Sequence, residues 1–273
     1  YKDSLGQISL DALCSHITLC SEMGRKESDL VNNLITSEKM YLEAEKKFSK
    51  NEQYIGCGLD LYKYLLKHKE RISKLEEMIS FKDLNKLYGT IYINSQMYLS
   101  NWKQKNFKKF QKEFSSLLSV LNSKKLEKID KEKKKIKVGF FSPDFKQSHS
   151  ITYFIKDLIT DLKKTKFETF GLSLLKTDQQ DETTDKFLNL FDNWVDLGDK
   201  SDQEIVEAIQ NENIDILIDL AGLWSSNRLS IFNTRICPLQ ISWLGFNNST
   251  GLKEIDFILA DNNTVKNEEK EYV

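Results

Sequence analysis

Residues 238–251, Pro-Leu-Gln-Ile-Ser-Trp-Leu-Gly-Phe-Asn-Asn-Ser-Thr-Gly, run apolar up to a glycine and then turn into small polar residues. A strand covered on both faces is apolar throughout, and the tight turn after it needs residues that tolerate unusual backbone angles. The same layout occurs at residues 136–145 (Ile-Lys-Val-Gly-Phe-Phe-Ser-Pro-Asp-Phe) and 214–222 (Ile-Asp-Ile-Leu-Ile-Asp-Leu-Ala-Gly). Three strand ends of this kind in one half of a chain point to an α/β fold with a ligand site at the strand ends.

The rest of that half agrees. Strand-like runs fall at 136–141, 167–175, 193–197, 214–221, 239–244 and 256–260. Helix-like segments at 150–162, 182–191, 201–211 and 227–234 separate most of them. Ser201 and Glu204 stand at the spacing of a capping box, which opens the third of these helices. Alternating β and α with doubly buried strands predicts a Rossmann-like, doubly wound, mostly parallel sheet over 136–273. Right-handed crossovers then bring every loop that follows a strand to one sheet edge.

Residues 1–121 read differently, as an all-helical region. Leu65, Ile72, Leu75 and Ile79 share one face at helical spacing, and Leu99, Trp102, Phe107, Phe110, Phe114, Leu117 and Leu121 form a second stripe. Ala44 and Phe48 have the spacing of a tetratricopeptide second helix, and a plain helical domain fits the pattern equally. Residues 122–135 are rich in lysine and poor in core residues, which predicts a solvated linker.

Composition sets limits on function. With 40% hydrophobic and 30% charged residues, the chain can bury a core and is not a disordered segment. A formal net charge of −1 supplies no field to collect nucleic acid or an anionic membrane. No apolar run approaches the roughly 18 residues of a membrane span. Cys14, Cys20, Cys57 and Cys237 lack metal-ligand spacing, and no metal or cofactor is expected. Four scattered thiols suggest a reducing, cytoplasmic or nucleocytoplasmic setting. The chain starts at Tyr1, which reads as a fragment.

In open parallel sheets the ligand crevice lies beyond the carboxyl ends of the strands. The loops at 142–150, 222–228 and 245–251 stand there, and all three are rich in small polar residues. Candidate binding residues are Ser142, Asp144, Asp219, Gly222, Asn227, Arg228, Gly245, Asn248, Ser249, Thr250 and Gly251. His149 precedes a helix at the crevice edge; it can take a proton from a hydroxyl, or it can cap the helix. Asp219 sits inside an apolar strand, where a buried carboxylate needs a partner, either Arg228 or backbone amides. Arg228 can hold a phosphate or carboxylate, or pair with Asp219 or Asp144. Neither a G-x-G-x-x-G nor a P-loop nor a G-x-S-x-G elbow is present.

Val138 to Phe145 (VGFFSPDF) followed by His149 to Phe154 (HSITYF) resembles the opening of the catalytic region of protein O-GlcNAc transferases and their SPINDLY-like relatives. Ile214 to Gly222 with Asn227 to Leu229, Pro238 to Phe246, Ser249 to Leu252, and Ile255 to Asp261 resemble further segments of that family in the same order. The resemblance implies the first lobe of a GT-B glycosyltransferase, with tetratricopeptide repeats upstream. The implied activity is inverting transfer of a sugar from a nucleotide-sugar, usually UDP-GlcNAc, to Ser or Thr of proteins. Acceptors would be bound by the helical region and the crevice. His149 falls on the family's active-site histidine, and Gly245 to Gly251 falls on a stretch facing the sugar-nucleotide.

Four departures bear on this. One extra residue lies between Phe145 and His149. Leu223-Trp224 replaces the usual His or Tyr followed by Thr, and Asn247 replaces a proline. The second lobe, with most nucleotide contacts, is expected to be missing after Val273, which would leave this piece inactive alone. Alternatives are another donor sugar such as fucose or glucose, or a helical-repeat scaffold carrying a degenerate lobe.

Overall fold

A computed structural model of the chain describes residues 9–23, 30–82, 89, 91–92, 112–126, 132, 134–147, 149–223, 228–246, 250–261 and 263. The chain divides into two units, Tyr1–Phe107 and Lys108–Val273.

The first unit contains α1 (Leu10–Met23), α2 (Leu30–Phe48), α3 (Glu52–Tyr64) and α4 (His68–Lys82). Asn51 starts α3 by accepting the Tyr54 amide at 3.2 Å, a cap that satisfies one of the helix's orphan donors. Leu13, Ile17, Leu34, Tyr41, Ala44, Tyr54, Ile55 and Met78 form its core. The Tyr41 and Tyr54 rings stack with centroids 4.2 Å apart, and the Tyr54 hydroxyl donates to the Tyr41 carbonyl at 2.8 Å. Gly58 makes this possible, because a Cβ there would collide with the Tyr41 ring. In α4, Ile72 and Leu75 are buried as the helical spacing requires, whereas Leu65 lies in the turn before the helix.

Cys14 and Cys57 form a disulfide between α1 and α3, with Cα atoms 5.6 Å apart. This corrects the reading of four free thiols. Disulfides persist in oxidising surroundings, so the cysteines no longer argue for a reducing compartment.

The second unit is built on six strands: β1 (Ile136–Ser142), β2 (Phe167–Ser173), β3 (Asn193–Asp196), β4 (Ile216–Asp219), β5 (Leu239–Trp243) and β6 (Phe257–Leu259). All are parallel, in the order β3-β2-β1-β4-β5-β6. The helices between them are α5 (Ser150–Leu162), α6 (Glu182–Leu190), α7 (Asp202–Asn211) and α8 (Leu229–Phe232). The doubly wound sheet is therefore as the alternation of elements requires. The expected capping box is also present, with Ser201 N donating to Glu204 Oε2 at 2.8 Å.

Residues paired across parallel strands share a face. One row is Trp194, Gly171, Phe140, Ile218, Ile241 and Phe257. It is covered by α5 and α6 through Ile151, Ile155, Ile159 and Phe187. Phe140, Phe145, Phe187, Phe191 and Trp194 interlock there, with centroids 5.3 to 6.3 Å apart. Each such pair adds about 0.5–1.5 kcal/mol beyond area burial. The opposite row is Val195, Leu172, Phe141, Asp219, Ser242 and Ile258, with Phe232 of α8 packed edge-on against Phe141.

The segment before β1 belongs to this unit. Phe114 and Leu118 are buried, while Leu117 of the expected stripe is 40% exposed because the helical turn ends there. The stripe residues from Leu99 to Phe110 lie outside the described residues. Asn122 and Lys124, assigned by sequence to a solvated linker, are held main chain to side chain. Gln203 of α7 accepts from Asn122 N at 3.0 Å and donates to Asn122 O at 3.1 Å. Gln210, seven residues on, accepts from Lys124 N at 2.9 Å. Thr234 accepts from Leu121 N at 2.8 Å. At the far side, Arg235 clamps Asp256 with two bonds of 2.6 and 2.9 Å and reaches Glu254 at 2.8 Å, tying the start of β6 to the turn before β5. Among the described residues, no helix is long and apolar enough to cross a membrane.

Candidate functional site

The strand order reverses between β1 and β4, and an open α/β sheet presents its ligand crevice at such a switch point. Ser142 ends β1 and Asp219 ends β4 at this place. The described parts of the three polar loops all leave the sheet at this edge, because every strand runs the same way.

After β1, the buried Ser142 hydroxyl accepts the Asp144 amide at 3.0 Å and starts the turn. The loop is then fastened to α6. Asp181, the cap of α6, accepts Gln147 N at 2.7 Å, and Thr184 Oγ1 donates to Phe145 O at 2.8 Å. The amide bonds, that of Gln147 foremost, hold the Asp181 carboxyl below its usual range.

His149 is the cap of α5. Its Nδ1 accepts Ile151 N at 3.4 Å, and its carbonyl accepts the Thr152 hydroxyl at 2.7 Å. Its Nε2 lies 3.5 Å from Asp144 Oδ2; the two side chains are 37% and 16% exposed. Burial raises the Asp144 carboxyl, opposed by His149 and Lys146. His149 thus takes the capping role read from the sequence, and its other ring nitrogen faces a carboxylate.

After β4, Asp219 is 2% exposed and accepts the amides of Ala221 at 3.0 Å and Gly222 at 2.9 Å. Of the two expected partners it has the backbone amides of its own turn, not Arg228. Burial pushes its carboxyl up to about 6, against the two amide bonds. Beside it in the sheet, Ser242 is 1% exposed and its hydroxyl lacks a hydrogen-bond partner among the described residues. Arg228 instead donates to Asp202 Oδ1 at 2.6 Å, which draws the guanidinium to α7 and away from Asp144 and Asp219.

The loops after β4 and β5 interlock. Gly222, at φ 57°, has no room for a Cβ against Phe246, and Gly245 has none against the Leu220 carbonyl. Just before it, Gly245 N donates to Trp243 O at 2.8 Å across Leu244, which sits at φ 69°. A three-residue turn with positive φ at its centre is rare and strained, and strain of this kind gathers at functional sites. Thr250 is buried, and Gly251 adopts φ 74°. Asn227, Asn248 and Ser249 lie outside the described residues. Among the described residues, no group of three His, Cys, Asp or Glu side chains is placed to hold a metal ion.

Sequence reasoning missed Asp181, Thr184 and Leu244. The first two carried a signal, Asp181-Glu-Thr-Thr184 ahead of a helical pattern, which is a cap sequence. Nothing in the residue type announces a leucine with positive φ.

The family model described as glycosyl transferase family 41 matches residues 114–272, more than half of the chain. The probable UDP-N-acetylglucosamine–peptide N-acetylglucosaminyltransferase SPINDLY of Arabidopsis thaliana is 33% identical over 128 residues, which cover 46% of this chain and 14% of that protein. The UDP-N-acetylglucosamine–peptide N-acetylglucosaminyltransferase of Caenorhabditis elegans is 27% identical over 128 residues, covering 46% of this chain and 11% of that protein. A mutant O-GlcNAc transferase from Thermobaculum terrenum superposes with a TM-score of 0.64 at 20% identity, over 92% of this chain and 53% of that one. At that identity the likeness speaks for the fold. The chain spans a minor part of the length of the curated relatives it matches.

Proposed function

This chain belongs to glycosyl transferase family 41, and from that premise we propose that it supplies the first lobe of a protein O-glycosyltransferase. The reaction is inverting transfer of GlcNAc from UDP-GlcNAc to Ser or Thr of proteins. The observation that carries this reading is the coincidence of the family match with the whole α/β unit, including the β1/β4 switch point and His149. UDP-GlcNAc is a co-substrate here, and the reading calls for no bound cofactor.

Within this reading the chain's own residues orient the acceptor and receive its proton. A neutral imidazole at the crevice edge can take the hydroxyl proton as the bond to the anomeric carbon forms. The described ends of the 245–251 stretch, at the Leu244 turn and at Thr250 and Gly251, face the sugar-nucleotide. The Asp219 turn holds Gly222 against that loop. We take the helical unit, whose core brings Ala44 and Tyr54 together, as tetratricopeptide-like and as a surface for acceptor proteins.

The test is transfer of labelled GlcNAc from UDP-GlcNAc to a Ser/Thr peptide by the protein expressed from its full reading frame, with GDP-fucose and UDP-glucose in parallel. Transfer of GlcNAc supports the proposal; transfer of another sugar keeps the chemistry and changes the donor. Absence of transfer with all three supports a second reading, a binding scaffold with a degenerate lobe. One observation favours that reading: the His149 Nδ1 accepts the Ile151 amide of α5 at 3.4 Å.

A further inference from the structure

The two ring nitrogens of His149 are not equivalent. Nδ1 accepts the Ile151 amide and so carries no proton; in the neutral ring the proton is on Nε2. Nε2 faces Asp144 Oδ2 at 3.5 Å, a contact with room to tighten. The Asp144 backbone is fixed on its own account, through Ser142 Oγ at 3.0 Å and Lys146 N at 2.8 Å. The carboxylate is thus presented by the loop and not carried by the histidine.

We infer that Asp144 is a positioning residue for His149: it holds the ring proton on Nε2 and leaves Nδ1 as the nitrogen that takes a proton from a hydroxyl. The hydroxyl part of this inference rests on the transferase reading; the Asp144–His149 pairing does not. At 3.4 Å the Ile151 amide is a weak occupant of Nδ1, and the start of α5 keeps two other bonds to the His149 carbonyl, from Thr152 N at 3.2 Å and Thr152 Oγ1 at 2.7 Å. An acceptor hydroxyl can therefore displace the Ile151 amide from Nδ1 without undoing the helix. In the step that follows, the acceptor O–H bond breaks as N–H forms on Nδ1. The oxygen's electron pair makes the new bond to the anomeric carbon. The bond from that carbon to the diphosphate breaks, and its pair leaves on the nucleotide. The imidazolium so formed faces the Asp144 carboxylate, which stabilises it.

The same geometry reassigns Asp144. The sequence marks it as a substrate contact, whereas its carboxylate is turned to the histidine and 16% exposed. The buried Asp219 is not an alternative support, because both its oxygens are taken by the Ala221 and Gly222 amides.

Imidazole nitrogen NMR on this chain tests the pairing without reference to activity. Only His16, His68 and His149 contribute signals, and His149→Gln assigns the third. The expected result is a wild-type His149 protonated on Nε2, and mixed tautomers in the near-isosteric Asp144→Asn. Asp144→Glu keeps a carboxylate and is expected to restore the Nε2–H form. A wild-type ring protonated on Nδ1, or a tautomer unchanged in Asp144→Asn, overturns the inference. Because the Ile151 amide on Nδ1 also favours the Nε2–H form, support comes from the Asp144→Asn change, with Asp144→Ala as the second variant if Asp144→Asn fails to fold; a wild-type ring protonated on Nδ1 overturns the inference by itself.

In the transfer assay, Asp144→Asn is expected to lower kcat about 10-fold to 100-fold with little change in acceptor KM, less than the 10²–10⁴ that removing a general base costs. An unchanged kcat, or a loss confined to KM, returns Asp144 to substrate binding. A wild type without any transfer counts against the transferase reading, and the tautomer result then decides the pairing alone.

Discussion

Gly222 and Phe246 touch so closely that a Cβ on the glycine would overlap the Cβ of the phenylalanine. This contact locks the turn after β4 to the turn after β5, the two turns that frame one side of the candidate crevice. Gly222 also needs its φ of 57°, a conformation that costs an L-residue about 1–2 kcal/mol. Gly222→Ala should therefore destabilise the α/β unit by about 2–4 kcal/mol, the conformational cost plus overpacking. Urea denaturation followed by tryptophan fluorescence measures it. A change below about 1 kcal/mol, within the range of ordinary surface substitutions, would show that the loops are not interlocked.

Asp219 gives the stability a specific pH dependence. Its carboxyl is raised from 3.8 to about 6 in the folded state, so the folded protein binds the proton more tightly than the unfolded chain. The sign follows: this group favours folding at pH 4 and loses that contribution as the pH rises through about 6, by about 3 kcal/mol at most. Asp181, Asp192 and Asp256, whose carboxyls are held low, act in the opposite sense. The difference between wild type and Asp219→Asn isolates the term. Denaturation midpoints at pH 4, 5, 6 and 7 should show wild type losing ground to the variant as pH rises; parallel curves would mean that Asp219 stays ionised throughout.

The strap at Leu121 to Lys124 is held chiefly through its main chain, by Thr234, Gln203 and Gln210, with one exposed side-chain bond from Lys124 Nζ to Asn211 Oδ1 at 2.8 Å. Substituting Lys124 by Ala should leave stability within about 0.5 kcal/mol, whereas Gln210→Ala should cost about 1–3 kcal/mol by leaving main-chain groups unpaired. Equal effects of the two changes would contradict main-chain recognition.

What the sequence reveals follows from how local each interaction is. Ile136 to Ser142 and Leu239 to Trp243 are legible as strands because burial on both faces makes them apolar in unbroken runs. Ser201 and Glu204 are legible because a capping box spans three residues. Leu117 and Leu118 exchange roles because the helical turn ends beneath them, which periodicity alone does not register. Arg228 looks free to meet Asp219, yet Asp202 is presented to it by the first turn of α7. Gln203 and Gln210 hold a lysine-rich segment some eighty residues away through amides that leave no pattern in composition. Cys14 and Cys57 meet across 43 residues for the same reason: only the packing of α1 on α3 brings them together.

The loop that presents His149 owes its position to a helix it does not belong to. Asp181 divides its carboxylate: one oxygen caps α6 through the Thr183 and Thr184 amides at 2.9 and 3.0 Å, and the other accepts Gln147 N at 2.7 Å. Asp181→Asn separates the two tasks, since an amide oxygen can still cap the helix while its NH2 cannot accept from Gln147. The variant should keep α6 and lose protection of the Gln147 amide against hydrogen exchange, with global stability lowered by no more than about 1 kcal/mol because the site is largely solvated. Asp181→Ala removes the cap as well and should cost about 0.5–2 kcal/mol. Because this carboxyl is held low when folded, its contribution is present above the unfolded value and fades as the pH falls through the folded one, so the wild-type advantage over Asp181→Asn should shrink on acidification. In the transfer assay the same variant should lower kcat more than it raises acceptor KM, since a loosened loop misplaces the Asp144–His149 pair without removing either residue. An Asp181→Asn protein with unchanged Gln147 exchange would show that Thr184, through its 2.8 Å bond to the Phe145 carbonyl, suffices to hold the loop.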